Sequence, residues 1–238
     1  MIPGEQQEPQ PRNPFWTYED LALFVGLSIP CFLVGGLAAG LVKAFTKIGQ
    51  TGQVLVAEFI AYPLLFGALA LLLRTKYGAP FWASMKWTAP AATLWKCAAL
   101  GPALAVFVGM LAYFLRAPEI DPPFKDSFVA TAIFGVTIAP ACEELAFRGF
   151  LMPLLVRSAG ASAGILLTTV PFTLLHGQQY SWSWQILVGL TVAGSAFGIV
   201  RHATGSTLAA AMMHAAYNLT LFCAFFAQRQ FNPNGIPW

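Results

Sequence analysis

The densest chemistry in the chain is Ala139-Pro-Ala-Cys-Glu-Glu-Leu-Ala-Phe-Arg-Gly-Phe150, which sets Glu143, Glu144 and Arg148 inside an apolar run. On a helix, Glu144 and Arg148 are i,i+4 neighbours on one face. Glu144 can therefore be neutralised within its own helix. Glu143 points about a quarter turn away (~100° per residue) and must find its partner elsewhere. Two histidines are available in other apolar runs. His176 follows Phe172 by four residues, and His214 precedes Asn218 by four, so that pair shares a face. Brought together, Glu143, His176, His214 and Asn218 form a polar pocket from three separate runs. A glutamate and a histidine can activate water as a general base. A histidine and an asparagine can donate to a developing oxyanion. Water, base and oxyanion donors together specify amide hydrolysis without a covalent intermediate.

The elements that must position these groups are membrane spans. Of the residues, 57% are hydrophobic and 10% are charged, against about 25% charged in soluble domains. Mean hydropathy is +0.65. So few charges cannot cover a water-exposed surface, and apolar runs of about 20 residues follow one another as a bilayer requires. The expected fold class is all-α, a polytopic transmembrane helical bundle of about seven spans, six to eight at the limits, around an intramembrane polar site. An ionisable side chain in hydrocarbon costs at least ~2.5 kcal/mol, so such a group faces the bundle interior and has a partner. Glu58, in the second run, has no motif around it and reads as structural or interfacial.

Along the chain the expected spans are 21–42, 54–73, 97–115, 127–156, 163–176, 185–200 and a last one from Thr207 to about Phe226. Residues 77–95 mix Trp82, Trp87 and Trp95 with Lys86 and suit the headgroup region. The fourth run exceeds a ~30 Å hydrocarbon core and should kink at Pro140. The expected organisation is a polar N-terminal tail (1–20), supporting spans with the interfacial loop (21–126), a catalytic core (127–226) and a C-terminal tail (227–238). The Pro-rich loop 116–126 should be turned or extended. Lys and Arg placement favours a cytoplasmic N-terminus, with Arg74, Lys76, Lys86, Lys96, Arg157 and Arg201 on that side. The net charge of +3 is too small and dispersed to suggest nucleic acid. Cys31, Cys97, Cys142 and Cys223 show no CxxC spacing and read as buried free thiols.

The motifs Glu143-Glu144-xxx-Arg148, Phe172-xxx-His176 and His214-xxx-Asn218 resemble those of the CPBP (CAAX protease and bacteriocin-processing) intramembrane endopeptidases. This group, also called the Abi family, includes the Ras-converting CAAX proteases. Phe147-Arg148-Gly149-Phe150 and Thr204-Gly205-Ser206 add to the likeness, which covers roughly residues 128–222. Two small departures are Cys142 before the glutamates and Gly177-Gln-Gln after His176. The resemblance implies a glutamate-dependent protease with Glu143 as catalytic base beside His176. His214 and Asn218 would stabilise the oxyanion. Glu144, Arg148 and Phe172 would hold the site in shape. It implies no cofactor and no metal. The expected partners are membrane lipid and a peptide or protein substrate, CAAX-type and lipidated among the options. The expected location is the cell membrane.

Three rivals stand beside this reading. Glu143, His176 and His214 could ligate zinc, although no HExxH is present. Cys142 with His176 could form a thiol protease, although a buried Cys is usually inert packing. A non-catalytic immunity factor or scaffold would use the polar cluster only to clamp helices.

Overall fold

The computed structural model describes residues 14–118 and 127–231, with side chains through 228. The expected N-terminal tail up to residue 13 lies outside the described residues. So do residues 119–126 of the Pro-rich loop, with Pro122, Pro123 and Lys125, and the last residues, 232–238, of the expected C-terminal tail.

The described chain is helical throughout. Helix α1 spans Tyr18–Phe45 and α2 spans Gln50–Tyr77. The short α3 (Phe81–Ser84) sits in the aromatic, basic stretch between α2 and α4, and α4 spans Ala91–Phe114. Next come α5 (Phe128–Val136) and α6 (Ile138–Glu144), a π-helical segment Leu145–Leu151, and α7 (Met152–Ala159). Helix α8 spans Ala161–Leu175, α9 spans Trp184–Thr204 and α10 spans Thr207–Phe231. Six stretches are long and apolar enough to cross a membrane: α1, α2, α4, the composite α5–α7, α9 and α10. The stretch between α2 and α4 adds no span.

Helix α8 is the exception that matters for the site. It is apolar but has only 15 residues, about 22 Å at 1.5 Å per residue, short of a ~30 Å core. It starts at Gly160, directly after α7, and ends at His176. Its sequence neighbours α7 and α9 both reach the N-terminal face of the bundle. Arg157 of α7 donates from Nη1 to the carbonyls of Pro14 and Trp16. The turn after α9 is tied to Lys86 by Thr207 N–H donating to its carbonyl at 3.0 Å. Helix α8 must therefore descend from that face and stop inside the membrane, which sets His176 at depth. The described passes total seven when α8 is counted with the six long ones.

The fourth pass kinks one turn before the expected Pro140. The α geometry lapses at Thr137, with φ −115° and ψ −74°. Pro140 explains it: the ring has no N–H for the Val136 carbonyl and crowds it, so the ladder fails on the N-terminal side. Pro153 acts similarly at the other end. It offers no N–H to the Gly149 carbonyl, so an unbroken α ladder cannot pass through Leu145–Leu151, and bonding there shifts to the π pattern.

Packing fixes two halves. Trp16, Phe24, Leu65, Leu69, Phe150 and Leu154 form a core between α1, α2 and the π segment. Trp16 stacks on Phe150 with centroids 5.4 Å apart and donates from Nε1 to its carbonyl at 3.1 Å. Buried Asp20 accepts from Thr17 N–H (2.8 Å), Lys76 Nζ (2.6 Å) and Tyr77 Oη (2.5 Å), pinning the start of α1 to the end of α2. A second core joins α4, α9 and α10 through Cys97, Ala105, Ala193, Phe197, Ala210 and Met213. There Gly101 lets α4 approach α10 closely. A Cβ on it would lie 2.6 Å from the Ala216 Cβ and 2.7 Å from the Met213 carbonyl oxygen.

Candidate active site

Glu143 and Glu144 end α6, so consecutive carboxylates leave the helix in different directions. Glu144 turns into the dry interior. It and Arg148 are fully buried and pair at 3.0 Å through Oε1 and Nη1. Arg148 Nη2 also donates to the Gly194 carbonyl at 2.7 Å, tying the π segment to α9. The guanidinium lies over Phe172 at 4.5 Å and beside Phe147 and Phe197. This aromatic box excludes water, and among the described residues Glu144 Oε2 and Arg148 Nε have no hydrogen-bond partner.

Glu144 does a second thing that spacing alone did not suggest. Its Oε1 sits 3.0 Å from His214 Nδ1. A carboxylate oxygen can only accept, so His214 donates from Nδ1 and its Nε2 faces the other way. His176 is arranged in parallel, its Nδ1 2.8 Å from the Phe172 carbonyl, which also only accepts. Both histidines thus aim Nε2 at Glu143. His176 Nε2 lies 3.9 Å from Glu143 Oε1, and His214 Nε2 lies 3.8 Å from Glu143 Oε2. Those gaps exceed a direct hydrogen bond and match a water bonded to both sides.

Asn218 reaches the same cavity, but its Nδ2 donates to the Gly135 carbonyl at 2.7 Å. That bond spans the break after α5 and uses one of two amide hydrogens. Phe172 packs against His176 with centroids at 4.7 Å and edge-on to His214 at 6.0 Å.

The cavity holding these groups has a volume of about 440 Å³. Apolar side chains dominate its wall, among them Leu55, Phe128, Phe134, Leu190, Leu221 and Phe222. Glu143 and His176 are the most open of the polar trio, with side chains 21% and 19% exposed against 6% for His214. Tyr180, in the turn after α8, also lines it; burial and then the charge of Glu143 push its hydroxyl up to about 12. The neighbouring Gly177 has a structural cause: a Cβ there would overlap the Trp182 ring. Cys142 is not among the lining residues. Among the described residues, no group of three or more His, Cys, Asp or Glu side chains is placed to hold a metal ion.

Two further neighbours of the site were not placed there by the sequence reading, which took Glu58 as structural or interfacial and did not mark Phe197. Phe197 stacks flat on His214, with centroids 4.3 Å apart and 18° between planes. It is an apolar residue in an apolar span, so no signal marked it. Glu58 lines the cavity and lies within electrostatic reach of Glu143. Its signal was its charge in hydrocarbon.

Residues 125–220 match the family model described as Rce1-like, type II CAAX prenyl endopeptidase Rce1-like. The resemblance to the CPBP endopeptidases is shown. The matched segment is less than half of the chain and contains Glu143, Glu144, Arg148, Phe172, His176, His214 and Asn218. No curated protein and no solved structure matches the chain. The match to a peptidase family model and the six long apolar helices together support a multi-pass integral membrane protein.

Proposed function

We propose that this chain is an intramembrane endopeptidase that hydrolyses a peptide bond with water activated by Glu143 and His176. The observation that carries the reading is Glu143 set between two histidine Nε2 atoms, at 3.9 and 3.8 Å, within an apolar cavity. A water there donates one hydrogen to the Glu143 carboxylate and the other to His176 Nε2, which is free to accept because Nδ1 holds its proton for Phe172. The water oxygen attacks the scissile carbonyl carbon, and its proton passes to Glu143. The carbonyl oxygen becomes an oxyanion and accepts from His214 Nε2–H and from the second amide hydrogen of Asn218. When His214 is protonated, each of its N–H groups faces a carboxylate, Glu144 on one side and Glu143 on the other. The C–N bond then breaks, and Glu143 returns its proton to the leaving nitrogen. Atoms and charge balance without a covalent enzyme intermediate.

In this scheme Glu144, Arg148 and Phe172 are positioning residues. They fix the tilt of His214 and His176 rather than touch substrate. The apolar wall suits a lipidated, CAAX-type or otherwise membrane-embedded peptide, and the cell membrane is the proposed location.

The test is purified protein in lipid nanodiscs against a prenylated CAAX peptide and a membrane-proteome peptide library, with products read by mass spectrometry. Glu143→Gln should keep the melting temperature and lose essentially all products, a drop of at least ~100-fold. Full turnover by the folded variant sinks the proposal and returns the cluster to a helix clamp. Loss of wild-type turnover in strong chelator, restored by zinc, converts the mechanism to the metal-dependent version. Cys142→Ala should retain full turnover.

A further inference from the structure

Three acids of the described chain lie within the apolar spans, and two of them are answered: Glu144 has Arg148 and His214, and Glu143 faces two histidines. Glu58 makes no hydrogen bond and no ion pair with any described residue, although it is partly buried in the third turn of α2. A carboxyl left unpaired at that depth is costly, and such groups usually mark a site. Its position says which site. Glu58 and Tyr62, one turn apart on α2, both line the catalytic cavity and both lie within electrostatic reach of Glu143. Helix α2 is held against the catalytic half at this level by Phe59, edge-on to Phe134 of α5 at 5.8 Å.

The charge inventory of the cavity is one-sided. Its lining includes the carboxyls of Glu58 and Glu143 and the imidazoles of His176 and His214, and no Lys or Arg. Arg148, the nearest cation of the motif, is sealed behind Phe172 and paired with Glu144. Nothing fixed in the wall answers Glu58, so its partner must enter with what the cavity binds.

We propose that Glu58 is a specificity-determining residue that selects peptides carrying a Lys or Arg near the scissile bond. It rests on the endopeptidase reading and deepens it by naming the substrate class. Glu58 takes the side-chain cation while Glu143 and His176 act on the backbone. A peptide with an acidic residue at that place meets two carboxylates and no Lys or Arg.

The experiment offers the nanodisc-embedded full chain a membrane-proteome peptide library. It also offers one prenylated CAAX peptide in Lys, norleucine and Glu versions at each position flanking the cut. Wild-type products should be enriched in Lys or Arg near the cut. The Lys peptide should exceed its norleucine twin about tenfold in kcat/KM, mostly through KM. In Glu58→Gln, which keeps the side-chain shape, that preference should vanish while turnover of the norleucine peptides stays within about twofold. Glu58→Lys should favour the Glu peptide. Melting temperatures of both variants confirm folding. No basic preference in wild type, or the same preference in Glu58→Gln, overturns charge selection and leaves catalysis standing. Absence of any product that depends on Glu143 overturns the endopeptidase reading, and this inference falls with it.

Discussion

At the residue scale, the site is organised by what each nitrogen of each histidine is allowed to do. The Phe172 carbonyl and the Glu144 carboxylate only accept, so both Nδ1 atoms are committed as donors and both Nε2 atoms turn to Glu143. Phe197 holds the His214 ring in that plane. Aromatic stacking of this kind contributes about 0.5–1.5 kcal/mol. Phe197→Leu should therefore lower kcat roughly two- to tenfold and leave KM unchanged, read by steady-state kinetics on one peptide. A rise in KM alone would show that Phe197 touches substrate instead. The buried Glu144–Arg148 pair makes a different prediction. Removing one partner leaves an uncompensated charge in a dry box, a loss of about 3–5 kcal/mol. Arg148→Met should depress the melting temperature more than the double variant Glu144→Gln with Arg148→Met. The double variant should still lose activity, because His214 then lacks its carboxylate. If the single and double variants melt alike, the pair is not the stabilising unit.

At the element scale, interruptions in helices place the chemistry. Helix α8 ends early and so leaves His176 inside the membrane, while the break at Thr137 frees the Gly135 carbonyl for Asn218. The long helices were legible from apolar runs, and the pairing of Glu144 with Arg148 was legible from i,i+4 spacing. The lapse at Thr137 was not, because a proline disturbs the carbonyl four residues before it and the kink shows upstream. Nor was the bond from Glu144 to His214, since spacing along one helix describes only its own faces. Glu58 was visible as a lone charge, but only the docking of α2 against α5 assigns it to the cavity. Close approach at Gly194 was equally hidden. A Cβ on Gly194 would sit 3.1 Å from Arg148 Nη2 and 3.0 Å from Phe172 Cδ1, two atoms that cannot yield without moving His214 or His176. Gly194→Val should abolish activity with a melting loss of about 1–3 kcal/mol. Gly198→Ala, against the movable Ile165 side chain at 2.9 Å, should be milder on both counts. Equal damage from the two would argue against Gly194 as a strict spacer.

At the scale of the whole molecule, the charged ends and the cavity lie on opposite sides. The N-terminal face carries Arg74, Lys76, Lys86, Lys96, Arg157 and Arg201, and Lys86, Arg157 and Arg201 share one cleft there with His202. Among the described residues the other face carries fewer, Lys43, Lys47, Arg116 and, near the end of α10, Arg229. That excess predicts a cytoplasmic N-terminal face. The cavity is walled by the opposite ends of its helices: Thr51 and Glu58 early in α2, Phe128 and Thr131 at the start of α5, and Leu221 and Phe225 late in α10. Substrate should therefore approach from the non-cytoplasmic side, above the unwound turn that carries Tyr180. Single cysteines report the orientation directly, in a background with Cys31, Cys97, Cys142 and Cys223 changed to Ala. Thr46→Cys, exposed between α1 and α2, should react with an impermeant maleimide on intact cells. Ala159→Cys, exposed at the end of α7, should react only after permeabilisation. The reverse pattern would put the N-terminal face outside and turn the cavity toward the cytoplasm, so the same labelling decides which pool of membrane peptides reaches Glu143.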